Sequence, residues 1–275
     1  MEIYTKTSYK ISELLTKQYS TSFSSSAKLF PRNLRRHIYA IYGLVRIADE
    51  IVDTDIGPSP DIELQGFKQE TYRAIKQGYS TNPIIHAFAI TAARYDIDST
   101  LIEPFFQSMA IDLNPQTFST KLYRQYIHGS AEVIGLMCLK VFCENDNLLY
   151  KKLVKGAAAL GSAYQKVNFL RDIASDHSEL GRIYFPGYTY ESFDDAAKKA
   201  IIEDIDTDLK EARLAIDELP RSSMLAVKLS YAYYKALLGR LERASINDIK
   251  SRRIRIPAIV KFALISKMVL TGYIK

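Results

Sequence analysis

Apolar residues recur along most of the chain at intervals of three and four positions, the spacing of one face of an α-helix. The alternating pattern of a half-buried strand is nearly absent. Long helices are predicted over 119–143 and 147–177, and Pro31 is typical of the first turn of another that runs to about Asp53. Further helices are predicted at 61–78, 83–95, 100–113, 194–218, after Pro220 and at 257–270. The pattern therefore predicts an all-α bundle of roughly ten helices.

Three segments interrupt this pattern. Segments 54–61 and 180–193 contain clustered glycine and proline, and 114–117 reads Asn-Pro-Gln-Thr. None of them has the composition of an interdomain linker, and no internal repeat is present, so residues 1–275 are predicted to form a single domain. The amino terminus lacks a signal pattern, and no uninterrupted apolar run approaches the ~20 residues that span a bilayer. We therefore expect a soluble, cytoplasmic protein.

Composition and charge narrow the classes of partner. With 47% hydrophobic and 25% charged residues, the chain can bury a sizeable core. The net charge of +6 is compatible with nucleic acid, with anionic phosphates or with an anionic membrane face. Its basic residues are dispersed, apart from groups at 32–36 and 250–255, and no nucleic-acid motif is present, so no nucleic-acid partner is predicted. The sequence assigns no oligomeric state.

A first row of chemically useful side chains lies on the helix that ends near residue 53. Asp49 and Asp53 are four residues apart and share a helix face, which Tyr42 and Arg46 extend. We call these four residues the first acidic row. A pair of aspartates at this spacing is by itself most often solvated surface.

A second row provides a stronger signal. Asn168, Asp172 and Asp176 follow one another at intervals of four, and Gln165 joins them one turn earlier. These four residues, the second acidic row, offer only oxygen ligands, which suit Mg²⁺ or Mn²⁺. A di-iron carboxylate bundle is disfavoured because no Glu-x-x-His element is present.

Two facing rows of this kind suggest a diphosphate site. Mg²⁺ in proteins is commonly held by a few carboxylates together with substrate phosphates. Arg46, Arg171 and Arg182 could give charge-assisted hydrogen bonds to the phosphate oxygens. Arg171 could instead be structural, because it points away from the row and could pair elsewhere in the bundle.

These residues resemble the signatures of the squalene/phytoene synthase family. "DEIVD" (49–53) and "NFLRDIASD" (168–176) followed by "GRIYFP" (181–186) resemble its two aspartate-rich motifs. "STSF" (20–23), "YIHGSAEVIGLM" (126–137) and "YAYYKALLGRLE" (231–242) are similar to its amino-terminal, central and carboxy-terminal segments. These motifs are most similar to those of bacterial phytoene synthases. The resemblance implies the all-α isoprenoid synthase fold, a helical bundle with a central cavity.

The resemblance also implies an activity. Members join two prenyl diphosphates head to head, and the compact length and the absence of a carboxy-terminal anchor favour condensation of two geranylgeranyl diphosphates to phytoene. That reaction passes through a cyclopropylcarbinyl (prephytoene) diphosphate and belongs to carotenoid biosynthesis. The alternative is a farnesyl diphosphate user that makes squalene, dehydrosqualene or presqualene diphosphate, with NADPH needed only for squalene. A terpene cyclase or a non-catalytic helical binding protein is a weaker alternative.

Roles for individual residues come from the same resemblance. The implied ligands of Mg²⁺ or Mn²⁺ are Asp49, Asp53, Asn168, Asp172 and Asp176. The implied substrate-binding residues are Ser20, Ser22, Arg46, Gln165, Asn168, Arg171, Arg182 and Tyr184. Tyr42 and Tyr126 match catalytic tyrosines of the cavity, although each could be an ordinary core aromatic. Asn247 stands where many members carry tyrosine, which puts the carboxy-terminal diphosphate contact in doubt.

Small residues cluster on the two long central helices. Gly129, Ser130, Ala131 and Gly135 on one helix match segments 156–159 and 161–163 on the other. Close helix packing and a prenyl-chain tunnel both explain this pattern, and the resemblance favours the tunnel. Apolar substrates and positive charge also predict transient peripheral contact with the inner face of a membrane.

Overall fold

The computed structural model describes residues 1–53, 59–113, 117–181 and 183–273. Every regular element in these ranges is a helix, which confirms the all-α prediction. The α-helices are α1 (Glu2–Tyr19), α2 (Thr21–Ala27), α3 (Arg32–Asp53), α4 (Pro60–Gln77), α5 (Pro83–Tyr95), α6 (Ser99–Asp112), α7 (Thr120–Ile127), α8 (Val133–Cys143), α9 (Asn147–Leu180), α10 (Asp195–Ile216), α11 (Arg221–Arg243), α12 (Ile246–Ser251) and α13 (Ala258–Tyr273). A five-residue π-helical segment, His128–Glu132, joins α7 to α8.

The ends of the long helices are set by local chemistry. Pro31 precedes the first turn of α3, and its carbonyl accepts hydrogen bonds from the N–H groups of Leu34 and Arg35. Asp146 caps α9 by accepting from two backbone N–H groups of its first turn. Gly181 ends α9 in the left-handed region, at a φ of 64°, where a residue without a Cβ is least strained. Asp172 and Asp176 of the second acidic row lie in the last third of this 34-residue helix, and Gln165 and Asn168 lie shortly before it.

Helix α1 was absent from the sequence prediction because its buried face is polar. Ser8, Ser12 and Thr16 are fully buried, and each hydroxyl donates to the carbonyl four residues earlier. These bonds satisfy the hydroxyls without help from another helix, so a small polar face can pack closely. A Cβ on Gly43 of α3 would lie 3.3 Å from the Ser12 hydroxyl. Helices α2 and α12, which are short, were likewise not predicted.

The segment predicted as one helix over 119–143 is continuous but contains the π-helical turn. Gly129 in that turn packs so tightly on the Pro104 carbonyl and Ser108 of α6 that a Cβ has no room. Residues 120–143 are long and apolar enough to cross a membrane, by length and composition alone. More than half of their most apolar window is buried inside the bundle, so these residues form part of its core.

Two large apolar clusters form most of the core of the described residues, and α9 contributes to both; a small third cluster consists of Tyr9, Ala40 and Ala87. The first joins α3, α5, α6 and α8 to the amino-terminal half of α9, around residues such as Leu44, Phe88 and Met137. The second joins the carboxy-terminal half of α9 to α10, α11 and α12, around Leu170 and Ile205. The first acidic row lies on α3, which belongs to the first cluster. The second acidic row lies on α9, which contributes to both clusters. Helix α3 is not among the helices that pack extensively on α9.

Candidate active site

An apolar cavity of about 240 Å³ lies between α9, the α7–α8 unit, α10 and α11. On the side of the second acidic row its wall includes Tyr164 and Gln165. Helix α2 contributes Phe23, whose ring stacks on Tyr42 of the first acidic row at 5.0 Å. The stacked rings of Phe30 and Phe142 also line the cavity, 5.1 Å apart. The cavity is therefore apolar throughout most of its wall and borders both acidic rows.

The small residues of the central helices serve two purposes. Gly135 and Gly161 line the cavity, but a Cβ on either would also collide with the facing backbone, at 2.8 Å from the Ala157 oxygen and 2.5 Å from the Ala131 oxygen respectively. Close packing is thus confirmed at these positions, which also line the apolar cavity, and the prenyl-chain tunnel stays a prediction. Gly129 packs on α6 and is not part of the cavity wall. Ser162 donates to Asp208 of α10 and is also outside the wall.

The first acidic row forms a charged cluster at the carboxy-terminal end of α3. Arg46 donates to Glu50 at 2.6 Å and lies 3.6 Å from the Asp49 carboxylate, with its guanidinium over the ring of Tyr19. The Asp49 side chain is 34% exposed. Burial raises its pKa to about 7; Arg46 opposes the rise, and the charge of Asp53 adds to it. Asp53 itself is exposed at the end of the helix.

Tyr42 and the serine segment lie together. Ser20 caps α2 by accepting from the N–H of Phe23 at 3.2 Å, and its side chain is also in hydrogen-bonding contact with Tyr42. Burial raises the pKa of Tyr42 to about 12, so its hydroxyl keeps its proton at neutral pH. Ser22 is half-buried in the first turn of α2, and its carbonyl accepts from Ser26. The structure therefore places the predicted serine segment beside the first acidic row.

Two arginines hold the central carboxylate of the second acidic row. Arg171 binds Asp172 through Nε at 2.8 Å and through Nη2, and Arg253 binds it through Nε at 2.8 Å. The Asp172 side chain is only 17% exposed. Asp176 is half-buried one turn further on, and its charge acts on both arginines. Arg182 lies outside the described residues.

Tyr234 of α11 links the two rows. Its hydroxyl donates to Oδ1 of Asn168 at 3.4 Å, and its ring stacks on that of Tyr164 with the ring centroids 3.7 Å apart. Burial raises the pKa of Tyr234, and the charges of Arg171 and Asp172 also act on it. Tyr42 on α3 interacts electrostatically with Tyr234 as well as with Asp49. The two rows therefore approach a common space across this pair of tyrosines.

Asp112, the last residue of α6, organises the remaining predicted tyrosines. Tyr126 donates to its Oδ2 at 2.6 Å, and Tyr184 donates to its Oδ1 at 3.4 Å. Tyr184 also stacks on Phe169 with ring centroids 4.0 Å apart. Burial raises the pKa of Tyr126 well above its ordinary value, with the Asp112 charge as a further cause. Since the charge of Asp112 also raises the pKa of Asp49, this cluster borders the first acidic row.

The donor chemistry of the rows fits a hard divalent cation. Within the described ranges no three His, Cys, Asp or Glu side chains already gather in a metal-binding geometry. Arginines instead neutralise the carboxylates at Asp49 and Asp172. The carboxylate and amide oxygens of the two rows suit Mg²⁺ or Mn²⁺. Burial raises the pKa of Asp49, neighbouring carboxylates add to the rise, and a bound cation would offset both effects. The metal-ligand assignment stays a prediction.

Three residues of this site escaped the sequence analysis. Arg253 belongs to the basic group at 250–255, but nothing in its spacing pairs it with a residue 81 positions earlier. Asp112 precedes the predicted loop at 114–117, and no second acidic residue stands three or four positions from it in the sequence. Tyr234 lies in the carboxy-terminal motif "YAYYKALLGRLE", which could have identified it. Asn247, at the position of a tyrosine in many relatives, is exposed on α12.

Comparisons with known proteins agree with this geometry. The family described as "Squalene/phytoene synthase" matches residues 16–259. The phytoene synthase of Arthrospira platensis is 31% identical over 194 residues, which cover 65% of this chain and 61% of that protein. The chain spans about three fifths of the length of the curated relatives it matches. In structure, it resembles a dehydrosqualene synthase (TM-score 0.83, 18% identity, 98% of both chains). It also resembles the squalene synthase HpnC from Alicyclobacillus acidocaldarius (TM-score 0.76, 21% identity, 88% of this chain and 95% of that one).

Proposed function

Because the chain belongs to the squalene/phytoene synthase family, we propose that it joins two prenyl diphosphates head to head. The proposed substrates are two molecules of geranylgeranyl diphosphate, and the product is phytoene, in agreement with the names of its curated relatives. The observation that carries this proposal is the apolar cavity that borders both acidic rows. The apolar wall suits a prenyl tail, and the charged groups at its border suit a diphosphate.

The reaction has two ionisations. Loss of diphosphate from one substrate gives an allylic cation, which the double bond of the other attacks; loss of a proton then yields the cyclopropylcarbinyl diphosphate. Loss of the second diphosphate, rearrangement and a second proton loss give phytoene. Mg²⁺ or Mn²⁺, held by Asp49, Asp53, Asn168, Asp172 and Asp176, would supply neutralisation of the leaving group's charge.

The residues of this chain supply the remaining requirements. Arg46, Arg171 and Arg253 can donate charge-assisted hydrogen bonds to diphosphate oxygens. Tyr42 and Tyr126 carry raised pKa values, so they act as hydrogen-bond donors at neutral pH. The apolar wall keeps water from the cation, since few polar groups line it.

Farnesyl diphosphate is the second candidate substrate. The stacked rings of Phe30 and Phe142 place bulk in the cavity wall, which favours a shorter chain. Its products would be dehydrosqualene or presqualene diphosphate, or squalene if NADPH is used. We also propose a cytoplasmic location with transient contact to the inner face of a membrane, in keeping with the net charge of +6 and the apolar substrates.

Incubation of the purified chain with Mg²⁺ and either the C20 or the C15 diphosphate, without and with NADPH, tests the proposal by product chromatography. Asp172→Asn is expected to lower turnover by at least about 100-fold, because it weakens a cation ligand while it keeps the shape of the side chain. Asp195→Asn, at an exposed position in the first turn of α10, is the matched control and should keep full turnover. Equal turnover of the two variants would contradict the role of the second row.

A further inference from the structure

An open groove of about 670 Å³ lies between α11 and α13, on the far side of α11 from the apolar cavity. Five cationic side chains line it: Arg213 of α10 and Lys228, Lys235, Arg240 and Arg243 of α11. Asp217 pairs with Arg213 and Lys228, and Asp206 pairs with Lys235. In the part of the chain that the structure describes, no acidic side chain pairs with Arg240 or Arg243. The groove therefore carries a net positive charge.

Helix α13 forms the other wall of this groove and is strongly apolar. Val260, Leu264 and Met268, at intervals of four, face the groove. A different face of the same helix is left uncovered: Ile259 is 77% exposed, Phe262 is 70% exposed and Leu270 is 63% exposed. At about 100° per residue these three side chains fall within one narrow arc, about 16 Å long at 1.5 Å per residue.

We propose that α13 and the cationic groove form a docking surface for an anionic phospholipid bilayer. Ile259, Phe262 and Leu270 enter the interface between headgroups and acyl chains, while the arginines and lysines of the groove bind lipid phosphates. This inference rests on the proposed membrane contact and assigns it to named residues. An exposed apolar helix face with basic side chains on the neighbouring helix is the chemistry that such an interface selects.

A bilayer is a better occupant of this surface than a second copy of the chain. A symmetric dimer through α13 would place a positively charged groove about one helix diameter behind each contact face, and like charges oppose such pairing. Anionic lipid complements both the charge and the apolar face.

The position of the surface also suits an apolar substrate and product. Helix α11 lines the cavity with Ala226, Val227 and Ser230, and lines the groove with residues of its other face. Lys261 of α13 donates to the hydroxyl of Thr21 at 3.3 Å, in the helix that carries Ser22 and Phe23. The docking surface is thus one helix away from the apolar cavity, which shortens the path of a prenyl chain between membrane and site.

The chain contains no tryptophan, so a single introduced tryptophan reports on its own surroundings. Phe262→Trp is expected to shift its emission to shorter wavelength with phosphatidylglycerol-containing vesicles, and not with pure phosphatidylcholine vesicles. Ile62→Trp is the matched control, at a 69% exposed position on α4, and should show no shift. Arg240→Gln with Arg243→Gln, on the Phe262→Trp background, should lower the vesicle partition coefficient roughly 30-fold.

Several results would overturn the docking surface. Equal shifts at positions 62 and 262, equal binding to neutral vesicles, or full binding by the double arginine variant would each contradict it. A dimer in solution that Phe262→Asp dissociates would show that a second copy covers α13. Failure of the unaltered chain to sediment with anionic vesicles would refute membrane contact itself. Turnover with detergent-dispersed substrate is measured separately, so failure of the catalytic proposal leaves the vesicle result unaffected.

Discussion

Replacement of Gly161 by alanine tests how closely α9 and the π-helical segment approach each other. An ideal Cβ at this position would lie 2.5 Å from the carbonyl oxygen of Ala131, 2.9 Å from its carbonyl carbon and 3.0 Å from the Cα of Glu132. All three atoms belong to the backbone, so no side-chain rotation can make room. One of the two central helices must therefore move.

The expected magnitude combines two opposing terms. Overpacking costs about 1–3 kcal/mol, and the backbone contact places this site at the upper end. Alanine recovers about 1 kcal/mol through its higher helix propensity. The free energy of unfolding of Gly161→Ala should therefore fall by about 2 kcal/mol. Since Ala131 and Gly161 both line the cavity, turnover should fall as well.

Gly66→Ala provides the matched control. Gly66 is exposed in the middle of α4, and a Cβ there meets nothing within 4 Å. Only the propensity gain remains, so this variant should be more stable than the unaltered chain by up to about 1 kcal/mol. The two substitutions should thus shift the melting temperature in opposite directions, by roughly 2–4 °C per kcal/mol. Far-UV circular dichroism during thermal and urea unfolding measures both. A Gly161→Ala variant as stable as Gly66→Ala would refute the close approach.

Three further changes should have measurable effects. Burial and neighbouring arginines lower the pKa of His37 to about 3, so its contribution to stability is present above pH 6.5 and is lost as the pH falls toward 3. Between pH 8 and pH 5 the free energy of unfolding of His37→Gln should therefore fall by about 2 kcal/mol less than that of the unaltered chain. Lys166→Met should lower the free energy of unfolding by roughly 2 kcal/mol, because it removes the cation 2.8 Å from the half-buried Asp208 and leaves that carboxylate with the neutral Ser162 hydroxyl. Tyr126→Phe should lower it by about 2 kcal/mol, because Asp112 loses its 2.6 Å hydrogen bond, and should slow turnover.

Lys166→Met and Tyr126→Phe each have a matched control variant, and the unaltered chain is the reference for His37→Gln. Lys199→Met alters an exposed lysine 4.0 Å from Glu203 and should change stability by less than about 0.5 kcal/mol. Tyr79→Phe, at an exposed tyrosine, is the counterpart for Tyr126→Phe and should keep full turnover. If the free energy of unfolding changes with pH in the same way in His37→Gln and in the unaltered chain, His37 takes up no proton on unfolding and its pKa is not lowered in the folded state. A Tyr126→Phe variant with unaltered stability would contradict the Asp112 cluster.

The long helices and the two acidic rows were predictable because both depend on spacing along one helix. Asp49 and Asp53, or Asn168 and Asp172, share a face wherever the surrounding residues are helical. The motifs of these rows also identified the family, which the comparisons confirm. Local periodicity was sufficient for this part of the fold.

The rest depends on contacts between residues far apart in sequence. Arg253 reaches Asp172 only because the segment after α12 returns to α9, and Asp112 meets Tyr184 across 72 positions. Helix α1 escaped prediction for a different reason: apart from Tyr9, its buried face consists of serine and threonine hydroxyls that bond within the helix, so its apolar periodicity is weak. Patterns along one element do not report such contacts.

The π-helical turn sets the angle between two functional surfaces on the continuous helix formed by α7 and α8. Tyr126 precedes the turn and reaches Asp112, while Ala131 within it and Gly135 after it line the cavity. If the same residues formed a regular α-helix instead, α7 would rotate by about 100° relative to α8, and Tyr126 would leave Asp112. The wide turn holds one residue more than an α-helical turn, so deletion of one residue from it restores a regular α-helix and keeps the two surfaces in phase. Such a deletion should therefore preserve the hydrogen bond from Tyr126 to Asp112 and the cavity wall on α8.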